Sequence, residues 1–472
     1  MPVLDSILKE FPAVDAAQWT NSFLKETKQE NFQNIPSVFG FEYKPFYGPN
    51  AELDKQAASI TSIVSKKEAG WNIAREFSTE NAAETNKYIL QSLEKGVSSI
   101  TLVGKINSAE HIGQLLNGVL ANFVEINFKE HYNSVNVARY YYEWIKKSGN
   151  DADKVFGTIH CDGISGALAH GGWSGSKEKD LDSMVETFEF VAKHFKKLHC
   201  FTVNAGRYHY AGANLAQTLS FTLSHAVEYL NYFKSKNIDV ANVIPRLTFY
   251  WPVGIHFFGE VAALRALHYV WNNLCQHITG SKELFAAHVY AEASSFWWSV
   301  ADKHNNLLRS TTQAMAAVAG GSTSVHVPPY NVLSTHADQS AERLATNIQL
   351  LLREESFMDK VNDPSGGSYL VENLTAQLAE AALTTLKAIE KAGGHIYMME
   401  AGKIQDEVKK SFATLTEALN SNKLKVVGLT LQPNKAEKIE LPEVSVTGNL
   451  KNIFPELSRA RLGFEAEKAL AK

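Results

Sequence analysis

Between residues 71 and 354 a short run of β-branched and aromatic residues is followed by a longer amphipathic stretch, and the pair recurs eight times in succession. The pattern is plainest in PRLTFYWPVGIHFFGEVAALRALHYVWN, residues 245–272. Residues 246–251 read as a strand that Pro252 and Gly254 end. Phe257, Val261, Leu264, His268 and Trp271 then recur at three- and four-residue steps, which puts them on one helix face. The other strands are predicted at 71–77, 98–103, 123–128, 155–161, 200–204, 285–291 and 322–327. Their helices are predicted at 82–95, 109–119, 135–147, 183–197, 214–234, 306–319 and 341–354. Eight strand-then-helix units in a row predict an α/β protein, a (β/α)8 TIM barrel over residues 71–360. An open doubly wound sheet shares the same periodicity.

The flanks read differently. Residues 1–70 are expected to form an N-terminal arm and linker. Within them, 4–30 mixes short helical patterns with charge, and NIPSVFGFEYKPFYGPN (34–50) has Pro, Gly and aromatics but no period. Such a stretch is expected to lie extended over another surface. Residues 361–472 read as a helical extension and C-terminal linker: a turn-rich break at DPSGGSY, helices at 374–392 and 402–419, a strand at 424–431, a charged linker at 437–445 and an Arg- and Glu-rich end.

With 472 residues, 45% hydrophobic and 20% charged, the chain has the length for a large core and the make-up of a soluble globular protein. A net charge of −4 gives no electrostatic case for a nucleic-acid or anionic-membrane partner. No uninterrupted apolar run reaches bilayer length, so no membrane span is expected. The opening MPVLDSILKEF is acidic without a long apolar core, so no secretory signal is expected. Cys161, Cys200 and Cys275 are few, odd in number and far apart, which fits buried thiols in a reducing, cytoplasmic setting rather than a disulfide framework or zinc site.

In a barrel, function sits at the C-terminal strand ends. Those ends hold Arg75, Glu76 and Phe77 on strand one, and His160, Cys161 and Asp162, with His170 beyond, on strand four. Strand five leads into Arg207, Tyr208, His209 and Tyr210; strand seven carries His288, Tyr290 and Glu292; strand eight carries His326. Imidazoles, a guanidinium and carboxylates around one rim suit acid–base chemistry or an anionic ligand. A barrel rim is polar in any case, and such side chains more often pair with neighbours. His160, Asp162 and His170 lack a helical i, i+4 ligand spacing, so no metal is expected. The pairs Gly171–Gly172, Gly320–Gly321 and Gly366–Gly367 form neither G-x-G-x-x-G nor a P-loop.

Several longer runs carry a resemblance. WNIAREFSTENAAETN (71–86), FYWPVGIHFFGEVAALRA, NNLLRSTTQAMAAVAGGSTSVHV (305–327), ERLATNIQLLLREES (342–356) and VNDPSGGSYLVENLTAQLAE (361–380) resemble the barrel of methylmalonyl-CoA mutases. The similarity covers roughly residues 71–431, and FGFEYKPFY (39–47) and YHYAGA (208–213) resemble the small, or beta, subunit of heterodimeric mutases. The resemblance implies an adenosylcobalamin-dependent rearrangement between methylmalonyl-CoA and succinyl-CoA, with the cofactor carrying the chemistry. It also implies altered site positions. Where catalytic members place a Tyr after strand one this chain has Glu76, and where they place a Gln and an Arg after strand four it has His160 and His170. Arg207 stands for a His after strand five, and Val332 for a cobalamin-contacting carboxylate after strand eight. His cannot reproduce the bidentate fork of an Arg on a carboxylate. The D-x-H-x-x-G motif of the cobalamin domain is absent, so the chain is expected to lack that domain.

The expectation is therefore a non-catalytic, structural small subunit that pairs with a large catalytic subunit. No cofactor would be bound by this chain alone, and adenosylcobalamin would act in the complex. In isolation the partner-facing surface could pair with itself as a homodimer. The competing readings are a catalytic acyl-CoA mutase barrel that uses a cobalamin domain on a separate chain, and a stand-alone acyl-CoA-binding barrel. The bulky Phe249, Tyr250, Trp251, Tyr290, Phe296, Trp297 and Trp298 are candidates to fill a channel along the barrel axis.

Overall fold

The structure is a computed structural model that describes residues 14–471 apart from 29, 32–33, 49–50, 66–68, 130–133, 335–337, 435–438, 440 and 442–452. The strand runs fold where the periodicity puts them, as β1 (Asn72–Ser78), β2 (Ser99–Val103), β3 (Glu125–Lys129), β4 (Phe156–Thr158), β5 (in two halves, Lys197–His199 and Phe201–Asn204), β6 (Leu247–Val253), β7 (Val289–Ala293) and β8 (Ser324–His326). Hydrogen bonding runs in the order β3–β2–β1–β8–β7–β6–β5, every pair parallel. β4 pairs with the first half of β5. A parallel bridge between Phe128 and Ile159 joins β4 to β3, and the His160 N–H donates to the Phe128 carbonyl at 3.0 Å. The ring is closed, which decides for the (β/α)8 barrel and against the open sheet.

Side chains alternate along each strand. Ile73, Ile100, Ile126, Phe201, Phe249 and Val325 face outward and are fully buried against the helices. Those helices are α1 (Ala82–Glu94), α2 (Ala109–Leu115), α3 (Ser134–Ser148), α4 (Lys177–His194), α5 (Leu215–Ser235), α6 (Phe257–Thr279), α7 (Asn305–Ala319) and α8 (Gln339–Leu350). Their starts follow from chemistry: Asn81, Ser108, Ser176, Asn214 and Asp338 each accept a first-turn N–H and satisfy a donor that the helix itself cannot. Among the described residues no helix is long and apolar enough to cross a membrane.

The inward face is polar. Across the ring, Thr101 Oγ1 meets the Tyr290 hydroxyl at 3.0 Å, Thr158 meets Thr248 at 2.9 Å, and Ser324 donates to Glu125 at 2.6 Å. Barrels commonly fill this space with branched aliphatics. Here only Tyr250 and Tyr290 of the bulky candidates lie in it, stacked with centroids 6.0 Å apart and planes at 15°. Phe249 turns outward onto Trp271, and the Trp251 indole points to Glu260.

Beyond the barrel come α9 (Tyr369–Ala392), α10 (His395–Glu400) and α11 (Lys403–Asn420). α9 packs across α5 and α6, and its Leu374, Leu378 and Ile389 belong to the same apolar core as the barrel. An ion cluster without solvent fixes its start. Arg265 of α6 donates to Asp363 at 2.7 and 3.2 Å, to Glu372 at 2.7 Å and to Thr375 at 3.2 Å, while Thr61 donates to Asp363 at 2.6 Å.

Some expectations are corrected. Residues 424–431 form a tight turn, not a strand: the Val426 carbonyl accepts the N–H groups of Leu429, Thr430 and Leu431, and Gly428 takes φ +78°. The arm is not simply extended. It carries helices Ala16–Thr27 and Ala51–Val64 around a two-stranded hairpin, Ile35–Pro36 with Glu42–Tyr43. Its Phe39 and Phe41 pack 4.8 and 5.1 Å from the His256 ring of this same chain, and Tyr43 bonds that ring. Residues 4–13 of the helical pattern, and most of the linker at 437–445, lie outside the described residues.

Candidate functional site

The C-terminal mouth of the barrel holds a cavity of about 270 Å³ lined by Glu76, Lys129, Tyr250, Glu292, His326 and Arg459, with Val332 on its rim. The strands place the first five, because each sits at an inward-facing position at or beyond the middle of its run. The EINFK sequence of β3 puts Glu125, Asn127 and Lys129 on one face and Ile126 and Phe128 on the other.

Lys129 Nζ donates to Glu76 at 2.7 Å and stands 4.9 Å over the Tyr250 ring. The Tyr210 hydroxyl donates to Glu292 at 2.7 Å. The Arg459 guanidinium lies 3.9 Å from the centre of the Tyr210 ring and donates to Ser295 Oγ at 3.0 Å. Burial would raise the Glu292 carboxyl, but Lys129, His326 and Arg459 outweigh it and hold it at about 2. Burial would likewise lower Lys129, and Glu76 and Glu292 reverse that to hold it charged. His209, buried below, is pushed down to about 3 by burial and by Arg459, and its ring meets Ser294 Oγ at 2.7 Å. Positive and negative groups alternate around the cavity, each against a partner from this chain.

Glu76, Glu292 and His326 bring three ligand atoms within 4.8 Å of one another, a spacing that could hold a metal ion. The His326 Nδ1 faces the Ala74 carbonyl at 3.3 Å, so Nε2 is the ring atom turned to the cavity. The Lys129 ammonium already stands at Glu76 as the local cation, and a divalent ion would have to displace it.

Not all the rim residues read from the sequence meet here. Arg75 does line this cavity, with its guanidinium turned to the outer side, where it pairs with Glu342 and donates to Ser92 at 2.8 Å. His160 lies inside the barrel, its Nδ1 2.9 Å from Thr202 Oγ1 and its ring edge-on to Tyr290. His170 ends the helix Gly163–His170 and lines a separate cavity of about 160 Å³ beside Cys161 and Asp162. Asp162 caps that helix, accepting from Ser165 N–H at 2.8 Å and Tyr229 at 2.6 Å. Burial holds the neighbouring Cys161 thiol up at about 12, away from the thiolate form. Arg207 donates to the Leu457 carbonyl at 3.4 Å, and Tyr208 joins a buried pair of imidazoles, His225 and His395. His288 belongs to the other end of the barrel, 4.1 Å from the His199 ring and 4.0 Å from Glu125. It precedes β7 rather than ending it.

The sequence reading passed over Lys129 and Arg459. The alternation in EINFK signals the first. The second carries no local signal, because its contacts are with residues far away in the chain.

A family model described as methylmalonyl-CoA mutase matches residues 103–469. The methylmalonyl-CoA mutase small subunit of Porphyromonas gingivalis (strain ATCC BAA-308 / W83) is 27% identical over 485 residues, covering 98% of this chain and 78% of that one. The small subunit from Streptomyces virginiae is 27% identical over 454 residues, covering 92% and 73%. The mitochondrial methylmalonyl-CoA mutase of Bos taurus is 27% identical over 319 residues, covering 67% of this chain and 42% of that protein.

Proposed function

Because the chain belongs to the methylmalonyl-CoA mutase family, we propose that it is a small subunit that does not itself catalyse the isomerisation, and that it supports a large catalytic subunit as its partner. The observation that carries this reading is the pairing of the charged groups at the mouth within the chain itself. Glu76, Glu292, Lys129 and Arg459 are neutralised by one another or by their neighbours, and Tyr250 and Tyr290 occupy the axis behind them. A general base or a substrate-holding guanidinium has to be aimed at the substrate, and the hydrogen bonds shown for these groups go to partners within the chain. Glu76, His160, His170 and Arg207, read as altered family positions, fit the same view. His160 bonds Thr202 inside the barrel, and Arg207 holds a backbone carbonyl.

The family depends on adenosylcobalamin, and the residues at this mouth do not suit such a group. A corrin needs a broad open face, whereas a segment bearing Arg459 crosses this one. Val332 stands on the rim where a carboxylate would be wanted. In the complex the cofactor would be held by the partner.

The test is to titrate the chain with adenosylcobalamin and methylmalonyl-CoA while following visible absorbance and succinyl-CoA formation, with and without a large mutase chain. No spectral change and no product from this chain alone, with a longer-lived or more active large chain in the mixture, is expected. Turnover by this chain alone, or with only a separate cobalamin-domain protein added, would overturn the reading.

A further inference from the structure

The cover over the mouth comes from far along the chain. Residues 453–467 cross the loops that follow three barrel strands. Beyond β4, the N–H groups of Ile453 and Phe454 donate to the Gly171 carbonyl at 2.7 and 3.1 Å, and that of Leu457 donates to Leu168 at 2.8 Å. Beyond β5, the Ala460 N–H donates to Tyr210 at 2.7 Å. Beyond β7, the Leu462 N–H donates to Phe296 at 3.2 Å, and Glu467 accepts from Val300 N–H at 3.1 Å. Phe454, Leu457 and Leu462 are buried against the face they cross.

Arg459 reaches from this segment into the cavity. It lies over the Tyr210 ring, whose hydroxyl is held by Glu292, and its charge helps keep Glu292 ionised. A guanidinium on an aromatic face beside a carboxylate is how a cationic ligand would be held. Here the ligand is supplied by the chain itself. The Arg461–Glu467 pair, at 2.7 and 3.0 Å, lies within the segment, and its buried Glu467 also holds the Val300 N–H of the barrel at 3.1 Å. Besides its backbone hydrogen bonds, three apolar side chains and Arg459, the segment is held by Arg207 and Gln405, which donate to the Leu457 and Pro455 carbonyls at 3.4 and 2.7 Å. A segment held from outside the ring by such local contacts can open by local unfolding while the barrel strands stay paired.

We propose, resting on the non-catalytic reading above, that residues 453–467 are a strap whose Arg459 serves as an internal ligand of the barrel mouth, so that a cationic group from another molecule can take that place only when the strap lifts. Hydrogen exchange on the full chain tests this without using turnover. In the native chain the amides of Leu457, Ala460 and Leu462 should exchange about a hundredfold slower than in an unstructured peptide, yet faster than the strand amides of Phe249 and Val325. Arg459→Ala should speed the three strap amides about tenfold and leave the strand amides unchanged, which also shows that the variant is folded. A cysteine placed under the strap by Ser295→Cys should react with a thiol reagent slowly, and about tenfold faster when Arg459→Ala is added. Strap amides that exchange at peptide rates, that exchange only together with the strands, or that ignore Arg459→Ala would each overturn the strap. Turnover by a chain whose strap amides remain protected would sink the non-catalytic reading and leave the covering contacts standing.

Discussion

Glu260 sits in the first turn of α6 with its carboxyl buried. It accepts from the Gly254 N–H at 2.6 Å and faces the Trp251 indole at 3.5 Å, with no cation paired to it among the described residues. Burial pushes its pKa from the ordinary 4.5 up to about 8, against the pull of those two donors. The sign of the linkage follows. Below pH 4.5 the group is protonated in both folded and unfolded chains, and its contribution to stability is complete. Between 4.5 and about 8 the unfolded chain ionises while the folded one does not, so stability falls, by up to about 1.4 kcal/mol per pH unit from this group. Above about 8 the loss is complete. Glu260→Gln removes that slope. In urea unfolding at a series of pH values, the variant should gain on the parent steadily as pH rises. Curves that stay parallel would mean that Glu260 is already ionised in the fold.

Strands β6 and β7 show how one run of sequence serves two environments. Their odd positions, Phe249, Trp251, Val289 and Ala291, are buried on the helix side, and Tyr250 and Tyr290 stack inside the ring. Tyr290 is 1% exposed and meets Thr101 across the barrel. Tyr290→Ala should cost about 3–5 kcal/mol in denaturant unfolding, as loss of a buried aromatic ring does. A cost below about 1 kcal/mol would mean that the axis collapses readily around the gap. This division also explains what could be read in advance. The eight units were legible because the outer, helix-facing side of each strand is apolar and short turns end each run. Which face turned inward was not legible for β6, since Tyr250 lies on one face and Phe249 and Trp251 on the other. It was legible for β3, where charge alternates with Ile126 and Phe128. The turn at 426–431 was misread because its Val, Leu and Thr have strand propensity, while the Val426 carbonyl gathers three N–H groups locally. His288 was misplaced because β7 begins at Val289, four residues later than its apolar run suggests.

The arm, the barrel and the extension meet at Arg265, which joins α6 to Asp363 and Glu372 while Thr61 of the arm holds the same Asp363. With all three parts sharing this cluster and one apolar core, unfolding should be a single event, with tryptophan fluorescence and far-ultraviolet dichroism changing together. Arg265→Met leaves two carboxylates buried without their cation and should cost about 3–5 kcal/mol. A loss within the error of the measurement would show that water reaches the cluster. The Arg459 contact places the final constraint at this level. Arg459 pairs with Ser295, 164 positions earlier, and Leu457 pairs with Arg207, 250 positions earlier. A ribosome adding about 5–20 residues each second makes the strap many seconds after the strands that it covers. For that interval the nascent barrel has all its strands and a bare mouth, with Glu292 lacking its guanidinium. The open form of this site is thus a stage through which every newly made copy passes, and a chaperone or small molecule present during synthesis meets a surface that the finished protein conceals.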